Sequence, residues 1–369
     1  MEIFPVMQAE RFEQIVFCHH PDIGLRAIIV IHDTTLGPAL GGTRMWPYAS
    51  EEEALTDALR LARGMTYKAA AAGLNAGGGK AVIIGDPKKD KSEALFRAFG
   101  RFVESLKGRF ITGEDVGIDV NDVEYMAMET RYVVGLSREH GGGGDPSPVT
   151  AYGVLQGIRA CLLERFGSQD IRGRRVVIQG LGKVGFHLAR LLSRHGATVI
   201  GADIDPDRVA FVRRRVPKLQ VVEPEAVYDV EADVFAPCAL GGILNDATIP
   251  RLRTPIVAGA ANNQLAEDRH GEILYRRGIL YAPDYVINAG GLINVYVEME
   301  GYDRRRAITL TRGIFYNLRR VFEISRQENI PTHIAADRMA EERIAAIRRV
   351  RNFHVEQPYL TRYPRYSRQ

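Results

Sequence analysis

One short segment constrains the fold of this chain more than any other. The β-branched sequence RRVVIQG runs into Gly180, Gly182 and Gly185, a complete GxGxxG pattern, and the helical sequence FHLARLLSRHG follows. Between a strand and a helix, the first glycine permits a tight turn, the second lets the backbone approach a pyrophosphate, and the third lets helix and strand pack closely. The N-terminus of the helix presents free N–H groups to phosphates. The segment predicts a Rossmann-type domain that binds a dinucleotide.

Asp203 indicates which dinucleotide is bound. It ends the next predicted strand, where a carboxylate can bond both ribose hydroxyls of NAD and repels the 2′-phosphate of NADP. NAD is therefore the predicted cofactor. Arg208 leaves NADP open, because an arginine just after this strand can recruit its phosphate.

The length and the order of the segments predict two domains. A chain of 369 residues can bury two cores, and GGGGDPSP at 141–148 suits neither a helix nor a strand. Beyond it, short β-rich segments alternate with helices, which is typical of a doubly wound parallel sheet. We predict an α/β protein with a substrate-binding and oligomerisation domain over 1–145 and a Rossmann domain over 146–330. Helices from about residue 330 are expected to return to the first domain.

The composition excludes several classes of protein. No segment approaches the roughly 20 apolar residues of a spanning helix, and the N-terminus lacks the order of a secretory signal, so we expect a cytoplasmic protein without a membrane partner. Cys18, Cys161 and Cys238 lie far apart, which predicts neither a disulfide framework nor a metal site. A net charge of +4 does not favour nucleic acid. The Arg/Tyr-rich stretch over 348–369 could contact RNA or an acidic partner, although a solvated tail is the simpler interpretation.

Two lysines of the first domain are candidates for chemistry. Lys68 continues the apolar face of a helix that begins at Ser50, where Glu53 stands at capping-box spacing. Lys80 follows the glycine run at 77–79 and is predicted to begin the strand AVIIG. Desolvation at such a position lowers the pKa of a lysine toward the range of a general base. Each lysine could instead be a surface charge whose stem covers apolar side chains.

Two further patterns concern the same region. GGGK is not a P-loop, because Leu74 stands where the GxxxxGK pattern requires glycine. Asp115, in ITGEDVG, is a candidate acid at the end of a predicted strand, and Glu114 beside it is a rival. A turn-capping role is an equally good interpretation of an aspartate before glycine.

Longer motifs resemble those of a known family. The chain is similar, from about residue 26 to about residue 347, to the leucine, valine and phenylalanine dehydrogenases of the glutamate dehydrogenase superfamily. The resemblance rests on GPALGGTRMWPY, EEEALTDALRLARGMTYKAA, GGGKAVIIGDP, GEDVG, GDPSPVTAYGV, APCALGG, AGAANNQLAE, YAPDYVINAGG and AADRMAEERI. It implies an NAD-dependent enzyme that interconverts a hydrophobic L-amino acid and its 2-oxo acid, with release or consumption of ammonia. It also implies a homo-oligomer, an octamer or a dimer, with substrate in a cleft between the domains.

The resemblance implies a role for each candidate. Lys68 would hold the substrate carboxylate with the backbone of Gly41 and Gly42, Lys80 would activate water, and Asp115 would carry protons to and from the amine. The other implied substrate-binding residues are Leu40, Met65, Gly113, Leu292 and Val295. The implied cofactor-binding residues, besides the three glycines and Asp203, are Lys183, Val184, Thr150, Cys238, Ala239 and Asn262.

The substrate side chain is predicted to be apolar. In the glutamate-specific relatives a lysine pairs with the second carboxylate, and here Leu40 stands at that position, which would leave that carboxylate unpaired. Leucine and other branched-chain amino acids are preferred on the long motifs. Gly113 and Leu292 are closer to the phenylalanine enzymes, and the absence of a methyl group at Gly113 would make room for an aromatic side chain.

Three positions depart from the family pattern without touching the catalytic set: Ile118, Gly143 and the YVEME segment at 296–300, whose Tyr296 could narrow the cleft. A non-catalytic nucleotide-binding protein is the remote alternative. That alternative predicts the loss of at least one of the proposed catalytic residues, and all of them are present.

Overall fold

The computed structural model describes residues 2–350, which form two compact units. Unit 1 contains the described residues up to Gly144, then Val295–Arg304 and those from Ala340 onward, and unit 2 contains Asp145–Asn294 and Arg305–Met339. The predicted mixed α/β class with two domains is confirmed. Of the Arg/Tyr-rich stretch, all but Arg348–Val350 lies outside the described residues. Within the described residues, no helix is long and apolar enough to cross a membrane.

Unit 1 is built on a mixed six-stranded sheet. Its strands are β1 Gln14–His20, β2 Leu25–Asp33, β3 Ala39–Leu40, β4 Thr43–Trp46, β5 Gly77–Ile84 and β6 Phe110–Ile111. The strand order is β1-β2-β5-β3-β6, with β4 paired to β5. Strands β1, β2 and β5 are antiparallel neighbours, whereas β3 and β4 lie parallel to β5. The helices of the N-terminal part are α1 Ile3–Glu10, α2 Glu51–Ala71, α3 Glu93–Ser105 and α4 Val120–Ala127.

The start of α2 follows the predicted pattern in part. The Ser50 side chain accepts a hydrogen bond from the Glu53 N–H at 3.1 Å, as a capping residue does. The Glu53 carboxylate accepts from the Ala49 N–H at 2.7 Å instead of from Ser50, so the reciprocal half of the predicted capping box is displaced by one residue. The apolar face of α2, with Ala58 and Ala62 fully buried, packs against the sheet.

The glycine run lies inside strand β5, and the prediction that Lys80 begins the strand was wrong. Gly77, Gly78 and Gly79 pair with the neighbouring strands, and Lys80 is the fourth residue of β5. A Cβ atom at Gly78 would stand 2.1 Å from the backbone nitrogen of Thr66 on α2. The strand needs glycine here because the helix packs directly on its backbone.

Unit 2 is a doubly wound parallel sheet. Its strands are β7 Arg175–Gln179, β8 Thr198–Ala202, β9 Gln220–Val221, β10 Val234–Pro237, β11 Ile256–Val257 and β12 Leu280–Tyr281. The strand order is β9-β8-β7-β10-β11-β12, and every pair is parallel. This order is that of the Rossmann fold, as predicted. The remaining helices are α5 Ser147–Phe166, α6 Lys183–Arg194, α7 Pro206–Arg215, α8 Asp268–Arg276, α9 Asp284–Ile287, α10 Gly290–Glu298, α11 Arg304–Glu328 and α12 Thr332–Val350.

The end of α12 belongs to unit 1, from Ala340 onward rather than from about residue 330. Arg343 donates to the carbonyl oxygens of Ala70 and Leu74 at 3.1 and 2.7 Å, where α2 ends. Arg348 forms an ion pair with Asp33 at the end of β2. Arg343 thus supplies a side-chain donor to backbone carbonyl groups at and just beyond the end of α2, where a helix leaves carbonyl groups without partners of its own.

Candidate active site

Lys80 is a buried lysine with an acidic partner. Its side chain points from the middle of β5 and is 5% exposed, and its Nζ lies 2.7 Å from Oδ2 of Asp115. Burial is the largest influence on this ammonium and lowers the pKa of Lys80, although the Asp115 charge acts in the opposite direction. The predicted desolvation of this lysine is confirmed.

Asp115 lies in the loop after β6 and is partly exposed. Its Oδ2 accepts from Lys80 and from Nε of Arg44, the latter at 2.9 Å. Burial alone would raise the pKa of Asp115, but the two neighbouring cations outweigh it and lower that pKa. The side chain of Glu114, the rival candidate, is exposed. Of the two acids, the structure therefore joins Asp115 to Lys80.

Arg44 was not identified from the sequence. It lies on β4, and its Nη1 also donates to Oδ2 of Asp57 on α2 at 2.8 Å. The hydroxyl of Tyr48 donates to the same Asp57 oxygen at 2.7 Å. One signal was available: an arginine in the strand TRMW, directly after the Gly-Gly pair of a candidate motif. We call Lys80, Asp115, Arg44 and Asp57 the Asp115 network.

Not every residue that is implied to bind the substrate carboxylate has a donor to offer. Lys68 lies in the last turn of α2 and is half-buried. The N–H of Gly41 already donates to the carbonyl oxygen of Ile111 at 3.1 Å, so its predicted role in holding a carboxylate is not supported. Gly42 remains a candidate. A Cβ atom there would stand 2.3 Å from the Glu114 carbonyl oxygen and 3.1 Å from Cβ of Asp115, so this backbone adjoins Asp115.

The interpretation of Gly113 was wrong. A Cβ atom added there would stand 2.9 Å from the carbonyl oxygen of Val134 and 3.3 Å from its Cγ2. The space left by the absent methyl group is therefore occupied by Val134. Gly113 gives no argument for an aromatic substrate.

The other implied substrate-binding residues are distributed over both units. Leu40 is enclosed in the sheet of unit 1 with 1% exposure. Met65 and Val295 are half-buried residues of the same unit, whereas Leu292 is buried and belongs to unit 2. The boundary between the units falls within α10, after Asn294.

The positions that depart from the family pattern are placed as follows. The N–H of Gly143 donates to Oε1 of Glu298 at 2.7 Å, and the N–H of Gly135 donates to Oε2 of the same carboxylate at 2.7 Å. Glu298, within the 296–300 segment, thus ties together two loops, and burial raises its pKa. Tyr296 and Ile118 are buried. Glu298 was missed because its partners are backbone groups distant in sequence.

The glycine turn after β7 fits a dinucleotide. Gly180 has φ of 94°, which favours glycine, and a Cβ atom at Gly185 would stand 2.0 Å from the Gly180 carbonyl oxygen. At Gly182, the N-cap of α6, a Cβ atom would meet no atom of the described residues within 4 Å, so among these residues the space in front of the helix N-terminus is open. Lys183 and Val184 form the first turn of that helix. This open N-terminus is where a pyrophosphate would lie.

Asp203 is fixed beside this turn. Its Oδ2 accepts from the N–H of Leu181 at 2.6 Å, and its Oδ1 accepts from the N–H of Asp205 at 2.9 Å. Nη2 of Arg208 donates to the carbonyl oxygen of Leu181 at 3.2 Å. The carboxylate and the guanidinium group therefore both border the turn.

The remaining cofactor candidates lie at loops that follow the strands or at the start of α5. Thr150 donates to the Pro146 carbonyl oxygen at 3.1 Å. Oδ1 of Asn262 accepts from Nδ2 of Asn288 at 2.7 Å, a buried partner that was missed because it lies on another segment. Ala239 lies against the glycine turn, since a Cβ atom at Gly180 would stand 2.7 Å from its Cβ. Burial raises the pKa of Cys238 to about 12, so this thiol stays protonated. Among the described residues, no group of three or more His, Cys, Asp or Glu side chains could hold a metal ion.

A Rossmann unit with an open glycine turn, in a chain that also pairs a buried lysine with a carboxylate, is typical of a pyridine-nucleotide-dependent oxidoreductase. Two sequence families match the chain: the Glu/Leu/Phe/Val dehydrogenase dimerisation domain over residues 12–132, and glutamate/leucine/phenylalanine/valine dehydrogenase over residues 141–209 and 202–346. The chain belongs to this family of amino-acid dehydrogenases, as its motifs predicted.

Individual relatives cover nearly the whole chain. A leucine dehydrogenase of Geobacillus stearothermophilus is 58% identical over 95% of this chain and 96% of its own length. A phenylalanine dehydrogenase of Caldalkalibacillus thermarum is 51% identical over 94% of this chain and 95% of its own length. A crystal structure of L-tryptophan dehydrogenase from Nostoc punctiforme superposes with a TM-score of 0.85 at 50% identity, and the match covers 94% of this chain and 99% of that one. The chain is thus similar to enzymes named for three different hydrophobic amino acids.

Proposed function

We propose that this protein catalyses the NAD-dependent, reversible oxidative deamination of a hydrophobic L-amino acid, preferably leucine or another branched-chain amino acid, to its 2-oxo acid and ammonia. The observation that carries the proposal is the contact of 2.7 Å between the buried Lys80 ammonium group and the Asp115 carboxylate. A buried lysine with a lowered pKa and a neighbouring carboxylate are a base and an acid held within reach of one substrate carbon. In this proposal unit 1 binds the substrate and unit 2 binds NAD.

Each residue of the site has a task that its chemistry can perform. Lys68, with the backbone of Gly42, binds the substrate carboxylate, since an ammonium group and an N–H are both donors. When bound, the nicotinamide accepts the hydride that leaves Cα. Before the hydride leaves, the Asp115 carboxylate takes a proton from the substrate ammonium group. Neutral Lys80 then takes a proton from the water that attacks the substrate iminium, and Asp115 returns its proton to the amine nitrogen. The C–N bond breaks as the C=O bond forms, and the released ammonia takes the hydroxyl proton and leaves as ammonium. The cations of the site stabilise the oxyanion that develops on the attacking water.

The residue type at position 40 supports an apolar substrate side chain. Leu40 has no group that could pair with a second substrate carboxylate, and burying that carboxylate unpaired costs several kcal/mol. Glutamate is therefore excluded as the preferred substrate. The 58% identity to a leucine dehydrogenase supports a branched-chain substrate.

An aromatic amino acid is the second candidate. Leu292 supports it by resemblance, and so does the TM-score of 0.85 to a tryptophan dehydrogenase. Gly113 no longer supports it, because Val134 fills the space beside that residue. We therefore keep leucine first and expect measurable activity with phenylalanine.

Asp203 supports NAD over NADP. Its carboxylate is fixed by two backbone N–H groups beside the glycine turn, where it can accept bonds from the ribose hydroxyls and repel a 2′-phosphate. We further propose that the protein is a homo-oligomer, which the match of residues 12–132 to a dimerisation domain supports.

The test is an NAD-reduction assay with leucine, valine, phenylalanine, tryptophan and glutamate. Leucine is expected to have the highest kcat/KM and glutamate the lowest. Lys80→Ala is expected to lower kcat by about 10²–10⁴-fold, the usual contribution of a general base, with NADH binding nearly unchanged by fluorescence titration. Lys89→Ala, which removes an exposed lysine of the same unit, serves as the matched control and should keep full activity.

Two outcomes would contradict the proposal. Retained activity in Lys80→Ala would rule out its role as the base. Binding of NADH without turnover of any amino acid, in either direction, would favour a non-catalytic nucleotide-binding protein.

A further inference from the structure

Arg44 occupies an unusual position in unit 1, because it lies between two carboxylates that come from different elements. Its Nε lies 2.9 Å from Oδ2 of Asp115, and its Nη1 lies 2.8 Å from Oδ2 of Asp57. The arginine side chain is 21% exposed, so neither bond is made at an open surface. The guanidinium group thus connects α2 to the loop that carries Asp115.

We propose that Arg44 is a positioning residue of the reaction: it holds the Asp115 carboxylate against Lys80, while Asp57 fixes the guanidinium group itself. This inference rests on the proposed function, since it concerns the same acid and base. It assigns a task to a residue that does not itself touch the reacting atoms.

The geometry explains why the residue is an arginine. The guanidinium group is planar and presents N–H donors along more than one edge, so it can bond two carboxylates at fixed angles at once. Asp57 is in turn held by the Tyr48 hydroxyl at 2.7 Å and by Nη2 of Arg60 at 2.9 Å. A lysine at position 44 would supply one compact charge, but it would lack the planar set of N–H donors that bonds both carboxylates.

Both cations bind the same oxygen of Asp115. Lys80 and Arg44 donate to Oδ2, so neither of them occupies Oδ1. With Oδ2 held from two sides, the carboxylate cannot turn about its Cβ–Cγ bond. Its Oδ1 therefore keeps a constant direction toward the amino group with which Asp115 exchanges a proton.

The charge of Arg44 also influences both titrating groups. The charged groups with the largest influence on Lys80 among the described residues are Asp115 from the loop after β6, Arg44 from β4 and Asp57 from α2. Arg44 lowers the pKa of both Lys80 and Asp115, because a cation disfavours the ammonium form and favours the carboxylate form. The charge of Asp57 acts on Lys80 in the opposite direction and raises its pKa.

The charges of Arg44 and Asp57 predict opposite shifts in the pH dependence of kcat/KM when each residue is replaced. Deamination requires neutral Lys80, so kcat/KM for the amino acid rises with pH through the pKa of that lysine. Arg44→Met removes a cation, so the rising limb is expected to move to higher pH, by about one unit. Asp57→Asn removes an anion but keeps an amide that can bond Arg44, so the limb is expected to move to lower pH.

The experiment measures kcat, KM and kcat/KM for leucine against pH in the wild type, Arg44→Met, Arg44→Lys and Asp57→Asn. Arg44→Met is expected to lose at least about tenfold in kcat, with KM for NAD unchanged. Arg44→Lys keeps the positive charge, so the rise of kcat/KM with pH should stay near that of the wild type. It lacks the planar set of N–H donors, so kcat should still decrease. Millimolar guanidinium chloride should partly restore Arg44→Met, whereas sodium chloride should not.

Superimposable pH profiles and equal kcat for wild type and Arg44→Met would overturn the inference. So would a loss of kcat without a shift of the limb and without rescue by guanidinium, since that pattern indicates a purely structural role. If the wild type does not oxidise any amino acid, the proposed function fails and this inference fails with it. An active wild type with an unaffected Arg44→Met defeats the inference alone.

Discussion

The packing of α2 on β5 predicts how unit 1 responds to a single methyl group. A Cβ atom at Gly78 would stand 2.1 Å from the backbone nitrogen of Thr66 and 2.5 Å from its Cα. Close-packed interiors do not allow such contacts, so Gly78→Ala has to push the helix away from the strand. The displaced turn carries Lys68 two residues beyond Thr66, and the strand carries Lys80 two residues beyond Gly78.

The cost can be worked from the contact. Overpacking a core costs about 1–3 kcal/mol, and here the obstacle is helix backbone rather than a flexible side chain, which places the cost near the upper end, about 3 kcal/mol. Alanine also restricts the unfolded chain, which offsets about 0.4–1 kcal/mol. The expected loss in the free energy of unfolding is about 2 kcal/mol. For a folding unit of about 150–250 residues, this corresponds to a decrease of about 4–8 °C in melting temperature.

Thermal melting followed by circular dichroism measures the effect, and Gly64→Ala is the matched control. Gly64 lies on α2 as well, but a Cβ atom there would meet nothing within 4 Å. That substitution is expected to stabilise the protein by about 0.5–1 kcal/mol, because alanine is the better helix former. Gly78→Ala should also lose kcat/KM, since it moves the helix that carries Lys68. A Gly78→Ala protein that melts together with the wild type and keeps full activity would refute the reasoning.

Three further predictions concern other parts of the molecule. Asp203→Ala is expected to raise KM for NAD and to lower the ratio of kcat/KM with NAD to kcat/KM with NADP by at least about tenfold, because it removes a negative charge that repels the 2′-phosphate. Steady-state kinetics with both cofactors measure this ratio. An unchanged ratio would contradict the proposed role of Asp203. Arg343→Met removes the side-chain donor to the Leu74 carbonyl oxygen, whereas the Ala70 carbonyl oxygen keeps the N–H of Gly73. The substitution is expected to cost about 2 kcal/mol in thermal melting. Arg349→Met, which removes an exposed arginine of the same helix, should have little effect. Burial raises the pKa of Glu298 above its ordinary value of 4.5, so protonation favours the folded state, and the wild type should lose stability as pH rises through that raised pKa. Glu298→Gln should lack this dependence, and parallel melting profiles of the two proteins against pH would contradict the assignment.

The parts of the fold that could be predicted are those in which cause and effect lie close together in the chain. Gly180, Gly182 and Gly185 each have a separate local reason within one strand–turn–helix segment. The structure has the tight turn at Gly180 and the close packing at Gly185, and the approach of a pyrophosphate to Gly182 stays a prediction. The β-branched run at 26–33 became β2 for the same kind of reason, since its pattern indicates burial without reference to any distant residue.

The predictions that failed concern positions whose surroundings are formed by a segment distant in sequence. The glycine run before Lys80 suggested that the strand begins only after it, yet the run belongs to β5. Glycine is needed there because α2 packs on the backbone of the strand at Gly78. Gly113 suggested room for a substrate, yet Val134, 21 residues later in the chain, fills that space. In each case the missing information is which side of a backbone faces which neighbour, and this depends on packing.

The sequence by itself determined the dinucleotide turn, the acid that follows β8, and Lys80 and Asp115 as the residues most suited to chemistry. Only the tertiary structure decided that Arg44 and Asp57 join them. The four side chains come from β4, β5, α2 and the loop after β6, and the pairing of β4 and β3 with β5 brings these elements together. Their meeting depends on strand register and helix packing across the whole sheet, and no pattern within a single segment encodes those.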